Sequence, residues 1–216
     1  MHIKRKTIPI FWPVPKTGTK YVAAPTHNQY SSVPLIIFVR DFLKIVKNKK
    51  ELKKLLSEKK ILINGKPIKE INYPVCFFDS LSFPSIKKYY RAVLENKRLV
   101  LKEITEKESN SKIYRVINKK ILPKNKIQLN LSDGKNILSS EKVNAGDFVL
   151  LNNTENKIEK IISLKKGTEV IVIKGKNMGK QGKIKEIVSE GNNFVAKIES
   201  KEGEINANIK NLFAVG

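Results

Sequence analysis

The amino-acid sequence predicts an α+β protein made of several small modules rather than one large domain. Apolar residues follow helical spacing only between residues 34 and 59. Short β-prone runs separated by turn residues fill the chain from residue 86 onwards, and prolines repeatedly interrupt the segment 1–33. These patterns predict an extended basic arm, a small helix–helix–sheet module, an all-β central domain and a small C-terminal β-barrel, over residues 1–33, 34–85, 86–162 and 163–216.

The predicted arm combines basic and aromatic residues with an irregular backbone. Its prolines favour extended or polyproline-like conformations. It contains too few periodic apolar residues to bury much surface, so it is not expected to become ordered by itself. Basic residues such as Lys4 and Lys16 are interleaved with aromatic residues such as Trp12, which suits phosphate contact and stacking on unpaired bases. Two alternatives stay open: the arm is a solubilising tail, or Trp12 packs back on the first domain.

Two helices are predicted at the start of the second module. Pro34 is tolerated in a first helical turn, and the apolar spacing from Leu35 to Val46 predicts a helix. Asn48 can end this helix in a left-handed conformation. A second short helix over residues 49–59 is expected to bury a face of leucines, while its lysines point elsewhere.

The predicted β structure begins within this module and continues through the rest of the chain. Asn64-Gly65 lies between two apolar runs, which is typical of a tight hairpin turn, and residues 79–83 supply a further strand. In the central domain the predicted strands are residues 89–94, 98–104, 112–122, 126–131 and 148–151. After a linker, the strands of the predicted barrel are residues 168–173, 184–188, 194–199 and 204–209.

Charge is the strongest functional indication in the sequence. The chain carries 43 Lys and Arg against 20 Asp and Glu, a net charge of +23, with a pI near 10.0. Such an excess costs a folded protein self-repulsion, so it indicates a polyanionic partner such as nucleic acid, whose counterions are released by basic side chains. Residues 1–100 hold 21 of the basic and six of the acidic side chains, so the main RNA surface is expected there.

Composition argues against several other classes of protein. The longest clean apolar run, residues 35–39, is far shorter than the roughly 20 residues that cross a bilayer, so no membrane association is expected. The basic start is not followed by an apolar segment, and no secretory signal is predicted. The single cysteine, Cys76, excludes an internal disulfide and multi-cysteine zinc sites, which favours the reducing cytoplasm.

No group of residues in the sequence predicts a catalytic site, a metal site or a cofactor. His2 and His27 are the only histidines, and both lie in the predicted arm, outside any rigid context for a general base. Cys76 lies in an apolar stretch and is expected to be a small core residue rather than a nucleophile. Asp79 would suit an RNA-modifying site only with a large catalytic domain after it, so it is expected to cap or turn a strand.

The glycine–lysine segment at residues 174–183 is superficially similar to a nucleotide-binding P-loop. That motif requires Ser or Thr after Gly-Lys, whereas Ile184 follows Gly182-Lys183 and Gln181 follows Gly179-Lys180. The segment instead predicts a strand–loop–strand that presents backbone amides and ammonium groups to an RNA backbone. A small-molecule substrate is therefore not expected.

Three patterns in the sequence resemble known RNA-binding families. Residues 170–184, with an apolar strand before spaced glycines, resemble the KOW motif, and residues 34–83 are similar to the S4-type RNA-binding module. Their order, with a basic segment before them and a β-rich middle, resembles the S4e family of small-subunit ribosomal proteins of archaea and eukaryotes. The strings that carry this resemblance are His2-Ile3-Lys4-Arg5, Phe11-Trp12-Pro13, Pro34 to Asp41, Tyr73-Pro74-Val75, Lys174 to Gly179 and Asn211-Leu212-Phe213.

The resemblance implies a structural protein of the small ribosomal subunit in the cytoplasm, with an SH3-like barrel at its KOW motif. It implies contact with small-subunit ribosomal RNA and neighbouring ribosomal proteins, and no catalytic site, cofactor or metal. Three alternatives stay open. The chain could be a free-standing RNA-binding assembly or regulatory factor, or an RNA-modifying enzyme with an unfamiliar active site in residues 86–162. The third alternative is a DNA-binding module, although the sequence shows no groove-reading helix.

The residues predicted to contact RNA lie in three basic segments and are expected to recognise mainly its backbone and shape. In the second module, helical spacing would place Arg40 and Lys44 on one stripe, four residues apart. For any single lysine the alternative is a solvated surface position, so the prediction attaches to the clusters. The predicted contact residues are Lys4, Arg5, Lys6, Trp12, Lys16, Arg40, Lys44, Lys53, Lys54, Lys60, Lys66, Lys174, Lys176, Lys180 and Lys183.

Overall fold

Most of the ordered backbone lies in β-strands, and helices are few and short. The computed structural model describes residues 2–123, 126–139, 141–190, 193–200 and 203–215. The chain divides into two compact units, Met1–Asn110 and Ser111–Gly216. A mostly β chain agrees with the predicted fold class.

The first unit is built from antiparallel strands that form two small ribbons and one five-stranded sheet. The ribbons pair β1 with β2 and β3 with β6, and the larger sheet has the order β5-β4-β7-β8-β9. Leu81, Ala92 and Leu99 lie in the core of this unit. The strands are β1 (His2–Lys4), β2 (Tyr21–Ala23), β3 (Ser32–Pro34), β4 (Leu62–Ile63), β5 (Lys66–Pro67), β6 (Pro74–Cys76), β7 (Ser80–Phe83), β8 (Lys88–Glu95) and β9 (Arg98–Glu103).

The hairpin turn predicted at Asn64-Gly65 is confirmed. Asn64 has a φ of 50° and Gly65 a φ of 75°, so both central residues adopt the left-handed conformation that a two-residue hairpin requires. The turn joins β4 to β5, with Ile63 opposite Lys66. Asparagine and glycine tolerate this conformation better than other residues, which is why the pair is so informative in sequence.

The first helix ends earlier than its apolar spacing predicts. It is a π-helix, Ile37–Phe42, whose five-residue hydrogen-bonding spacing continues from the Leu43 amide to the Phe38 carbonyl at 2.8 Å. Lys44, with a φ of 54°, is the left-handed residue, and Asn48 is extended, with a φ of −142°. The predicted end at Asn48 was therefore wrong.

The second predicted helix is present as α1 (Lys49–Ser57). Leu52 and Leu56 are its buried residues, in agreement with the predicted leucine face. A further short helix, α2 (Glu106–Ser109), was not predicted and starts with a capping box between Thr105 and Glu108. Among the described residues, no helix is long and apolar enough to cross a membrane.

The segment predicted to be an extended arm is more ordered than expected. His2–Lys4 pairs with Tyr21–Ala23, and the intervening chain buries Phe11 and Trp12. The Leu99 amide donates to the Phe11 carbonyl at 2.7 Å, which joins the segment to the edge of the large sheet. The expectation of an extended arm therefore differs from this structure, because two large aromatic side chains provide the apolar burial that periodicity did not indicate.

The large sheet of the first unit crosses the predicted boundary after residue 85. β8 pairs with β7, with Arg91 opposite Ser80, and β9 completes the sheet. Both strands were expected in the central domain. A sheet recruits strands by hydrogen bonding, whereas sequence shows only that a strand is present, so module membership was not predictable from the runs themselves.

The second unit contains two five-stranded antiparallel sheets, with the orders β12-β11-β10-β13-β14 and β18-β17-β16-β15-β19. The core of the first sheet includes Tyr114, Leu129 and Val149, and that of the second includes Val170 and Ile198. The strands are β10 (Ser111–Leu122), β11 (Lys126–Leu131), β12 (Asn136–Ser139), β13 (Phe148–Asn152), β14 (Lys157–Ile162), β15 (Glu169–Val172), β16 (Gln181–Glu190), β17 (Asn193–Ser200), β18 (Gly203–Asn208) and β19 (Leu212–Ala214).

All predicted strands of the second unit are present, and β12, β14 and β19 are additional. The two sheets of this unit touch through Phe148 and Phe213, whose ring centroids lie 4.9 Å apart. Arg115 spans the same junction and donates to the Lys210 carbonyl at 2.8 Å. Closure of the C-terminal sheet into an SH3-like barrel stays a prediction.

Candidate nucleic-acid interface

The predicted contact residues occupy three separate surfaces. One lies on the β1–β2 ribbon and the loop that joins its strands, one on the helices and hairpin of the first unit, and one on the loop between β15 and β16. The first two belong to the first unit and the third to the second unit.

In the N-terminal ribbon, Arg5 holds the connecting loop in shape. Its guanidinium donates to the Thr19 carbonyl and the Pro15 carbonyl, both at 2.6 Å, and to the Thr19 hydroxyl at 2.9 Å. Gly18 has a φ of 128°, and a Cβ there would lie 3.2 Å from the guanidinium. Arg5 is therefore used largely for internal contacts, which leaves it less available to RNA than predicted.

The lysines around this loop surround a shared cavity. Lys4, Lys6, Lys16 and Lys20 are all exposed and line a cavity of about 460 Å³ together with the loop backbone. Four ammonium groups around one concave surface repel each other unless an anion is present. The cluster predicted at Lys4, Lys6 and Lys16 is thus brought together, and the structure adds Lys20.

Trp12 does not lie on this surface, because its side chain is only 2% exposed. The predicted role of Trp12 in stacking on RNA bases is therefore not supported by this conformation, and the alternative that it packs on the first domain describes it better. The exposed aromatic residue of the ribbon is Tyr21, which was not among the predicted contact residues. Its position opposite Lys4 arises from pairing between strands that are distant along the chain, which sequence periodicity cannot indicate.

In the second surface, Arg40 and Lys44 do not share a helical stripe. The π-helix ends at Phe42, before Lys44 adopts its left-handed conformation. Arg40 is bidentate to the neighbouring Asp41, at 2.7 and 2.9 Å, and this hydrogen bonding raises the pKa of the Arg40 guanidinium. Both side chains are exposed, but the predicted four-residue spacing was wrong.

The remaining basic residues of this surface are exposed on α1 and on the hairpin that follows it. Lys53 and Lys54 lie on the exposed face of α1, and Lys66 lies on the edge strand β5. Lys60 pairs with Glu58 at 2.6 Å, and this hydrogen bond lowers the pKa of the Glu58 carboxyl. Pairs between exposed side chains are weak because water screens them, so a phosphate can replace the carboxylate.

The third surface is the loop between β15 and β16. Lys174 and Lys176 are exposed, Lys180 is half-buried, and Lys183 lies 3.6 Å from Glu169. Three amides of the loop are used internally, since Gly179 donates to the Val172 carbonyl at 2.8 Å and the Met178 and Lys180 amides also donate within the loop. These three amides are therefore less available to RNA than expected, and contact through the lysine side chains stays a prediction.

Gly182 has a packing role rather than the predicted phosphate-approach role. It lies in β16 opposite Ser200, and a Cβ at this position would lie 2.3 Å from the Glu199 carbonyl oxygen. A side chain would therefore collide with the backbone of β17. The glycine permits close strand approach within the sheet, and a glycine inside a strand is the sequence signal for such an approach.

The residues considered for catalysis have structural contacts. Asp79 is 4% exposed and accepts hydrogen bonds from the Asn64 side chain and the Cys76 amide, both at 2.7 Å, so it fixes a turn as predicted. Cys76 is half-buried and accepts from the Asn28 side chain at 3.3 Å. In the described part of the chain, no group of three or more His, Cys, Asp or Glu residues could hold a metal ion.

Comparison with known families places recognised modules along the chain. A model described as the S4 domain matches residues 33–81, one described as Ribosomal family S4e matches residues 86–158, and the KOW motif model matches residues 166–200. The chain is also similar to a solved structure, the crystal structure of the 30S ribosomal protein S4e from Thermoplasma acidophilum. The TM-score is 0.71 at 28% identity, and the match covers 86% of this chain and 95% of that one.

Several curated relatives are similar over nearly their whole length. Small ribosomal subunit protein eS4 of Methanocella arvoryzae is 36% identical over 222 residues, covering 100% of this chain and 94% of the relative. The protein of that name from Methanosphaera stadtmanae is 35% identical, covering 100% and 92%. The one from Nanoarchaeum equitans is 33% identical, covering 87% and 82%. The chain therefore belongs to the S4e family of ribosomal proteins.

Proposed function

We propose that this protein is a structural constituent of the small ribosomal subunit, where it binds small-subunit ribosomal RNA mainly through backbone and shape contacts. The observation that carries the proposal is similarity along the whole chain to relatives named small ribosomal subunit protein eS4. The net charge of +23 supports it, because a folded protein with this excess needs a polyanionic partner. The relatives are ribosomal proteins and not enzymes, and we assign this chain no reaction.

Several weak surfaces acting together explain how such a protein is retained. Each surface supplies a few exposed lysines, and linked sites gain affinity because the second binding event is intramolecular. The proposed contact residues on the first unit are Lys4, Lys6, Lys16, Arg40, Lys44, Lys53, Lys54, Lys60 and Lys66. On the second unit they are Lys174, Lys176, Lys180 and Lys183.

The same proposal includes the division of the chain into modules, its protein partners and its location. We expect an S4-type module near residues 34–85, a central β domain near 86–162 and an SH3-like barrel over 163–216, each presenting its own surface. Ribosomal proteins next to these modules would be the protein partners, and the site of action would be the cytoplasmic ribosome. The N-terminal segment, over 1–33, would become further ordered on RNA.

Co-sedimentation in a sucrose gradient tests the proposal. A tagged full-length chain expressed in a host of related ribosomes should sediment stoichiometrically with the small subunit and remain there after a high-salt wash. The tag fused to an unrelated small protein is the control. If the chain moves to the light fractions, or follows only immature particles, the protein is instead an assembly or regulatory factor.

A further inference from the structure

The N-terminal ribbon presents an exposed face with both aromatic and basic side chains. Strand alternation places His2 and Lys4 on one face of β1, and Tyr21 lies directly opposite Lys4 on β2. These three side chains are exposed, whereas Ile3 and Val22, a directly opposed pair on the other face, are half-buried. The ribbon is thus polarised, with its apolar pair facing inward and its aromatic and basic residues facing solvent.

Tyr21 is the centre of this face. The centroid of its ring lies 4.7 Å from that of His2 in an edge arrangement, and the Lys20 ammonium lies 5.4 Å from the Tyr21 centroid. The side chain is 45% exposed, a large fraction for an aromatic residue fixed in a strand. A partly exposed ring with one ammonium group over it provides a surface on which a nucleobase can stack.

The basic cavity described above adjoins this ring. Lys4 and Lys20 both line the cavity and flank Tyr21, by cross-strand pairing and by sequence. Because the Lys20 ammonium lies 5.4 Å from the Tyr21 centroid, a phosphate bound by Lys20 would lie close to the ring. The two features can therefore engage one nucleotide together.

Contacts within the chain hold the loop that forms the cavity. Arg5 ties together the Pro15 and Thr19 ends of the loop, and Gly18 packs against its guanidinium. A preformed anion site loses less conformational entropy on binding than a free lysine-rich tail. Arg5 is accordingly a positioning residue, and the lysines are the groups that face the anion.

We propose that the β1–β2 ribbon binds an unpaired nucleotide of RNA, with the base stacked on Tyr21 and the phosphate in the cavity lined by Lys4, Lys6, Lys16 and Lys20. This inference rests on the proposed function, since it names the kind of RNA element that one of the three surfaces takes. It differs from backbone and shape recognition because it requires a base that is free of pairing.

The test compares two labelled oligonucleotides that differ only in their bases. The full-length chain is titrated into a fluorescein-labelled ten-nucleotide uridine RNA and into an abasic RNA of the same length, at one salt concentration. Tyr21→Val keeps a residue that favours strands but removes the ring, and Tyr21→Phe keeps the ring. Ile10→Ala, at a side chain that is 77% exposed, is the control for a general loss of apolar surface.

Tyr21→Val should weaken binding of the uridine RNA about tenfold and leave binding of the abasic RNA unchanged, as expected for loss of one base–aromatic stack. Tyr21→Phe and Ile10→Ala should bind both probes as the unchanged chain does. Equal affinity of Tyr21→Val and the unchanged chain for the uridine RNA would overturn the proposal. So would equal affinity of the unchanged chain for the two probes.

A parallel titration with purified small-subunit ribosomal RNA separates the two hypotheses. If the chain binds this RNA but Tyr21→Val has no effect on the uridine probe, only the nucleotide site is rejected. If the chain binds neither RNA, the proposed function fails as well. Circular dichroism of each variant establishes that the ribbon substitutions leave the fold intact.

Discussion

At the scale of single residues, the basic side chains differ in how free they are to meet a phosphate. Arg5 donates three hydrogen bonds to its own loop, and Arg40 is held by Asp41. Lys174 and Lys176 are exposed, and no acidic partner is found for either among the described residues. By residue type alone, all four are equally good candidates for phosphate contact. Their local contacts show that the two lysines are more available to a phosphate than the two arginines.

Gly182 is the residue whose substitution should most directly disturb the C-terminal sheet. Alanine at this position would place its Cβ 2.3 Å from the Glu199 carbonyl oxygen, so β16 and β17 would have to separate. Overpacking of this kind costs about 1–3 kcal/mol. We expect Gly182→Ala to lower the free energy of unfolding by that amount, measured by urea denaturation and circular dichroism.

Ser189→Ala is the matched control for Gly182→Ala. Ser189 is exposed on the same strand, and alanine removes an atom there instead of adding one. Its expected change in the free energy of unfolding is within about 0.5 kcal/mol. Equal stabilities of the two variants would mean that the strands accommodate a methyl group and that the glycine is not required for close approach.

At the scale of elements, the start of α1 depends on one side chain. The Asn48 carboxamide oxygen accepts from the Lys50 and Glu51 amides, both at 3.0 Å, while the Glu51 carboxylate accepts from the Lys47 amide at 2.7 Å. Asn48→Ala should therefore cost about 1 kcal/mol, the usual loss for an N-cap. Fluorescence of the single tryptophan, Trp12, in the same unit can follow urea unfolding.

Asn48→Ser tests whether the cap itself accounts for that loss. Serine keeps an acceptor oxygen for the Lys50 and Glu51 amides, so it should retain most of the stability. It also avoids placing a second carboxylate beside that of Glu51, which accepts from the Asn48 side-chain amide at 3.2 Å. If serine destabilises the unit as much as alanine does, the hydrogen bonds of the cap are not the cause. The role would then lie in the packing of the preceding turn.

Local chemistry made many elements predictable from the sequence. Asn64-Gly65 specified its hairpin because both residues must adopt positive φ, and the long β-prone runs of the second unit marked their strands. The π-helix was harder, because Leu35 to Val39 are all buried and provide no amphipathic stripe to mark a register. β19 was missed because it is very short, and its partner β15 lies far earlier in the chain.

The candidate site was predictable only as regions of charge. Lysine clusters were visible in the sequence, but the cavity at the ribbon depends on pairing between Lys4 and Tyr21. Trp12 is buried and Tyr21 is exposed, which the sequence did not indicate because tertiary packing decides whether an aromatic side chain is buried. Sequence therefore located the surfaces, and long-range contacts decided which side chains lie on them.

At the scale of the whole molecule, net charge alone does not determine affinity for RNA. A lysine already paired with a carboxylate gains less from a phosphate than an exposed lysine with no acidic neighbour, because the phosphate must replace an existing partner. The second unit contains both kinds. Lys174 and Lys176 are exposed on the loop between β15 and β16, whereas Lys185 pairs with Glu204 and Lys197 with Glu186.

This contrast supports a test with two variants that have the same net charge. The double variant Lys174→Gln with Lys176→Gln, and the matched double variant Lys185→Gln with Lys197→Gln, each remove two positive charges from +23. The first should weaken binding to small-subunit ribosomal RNA and reduce the slope of log K against log salt by up to about 0.7–0.9 per lost phosphate contact. The second should change both quantities much less, because its lysines mainly neutralise their own carboxylates.

Equal effects of the two variants would mean that the protein attracts RNA through its overall charge, and that the exposed loop lysines have no special part in binding.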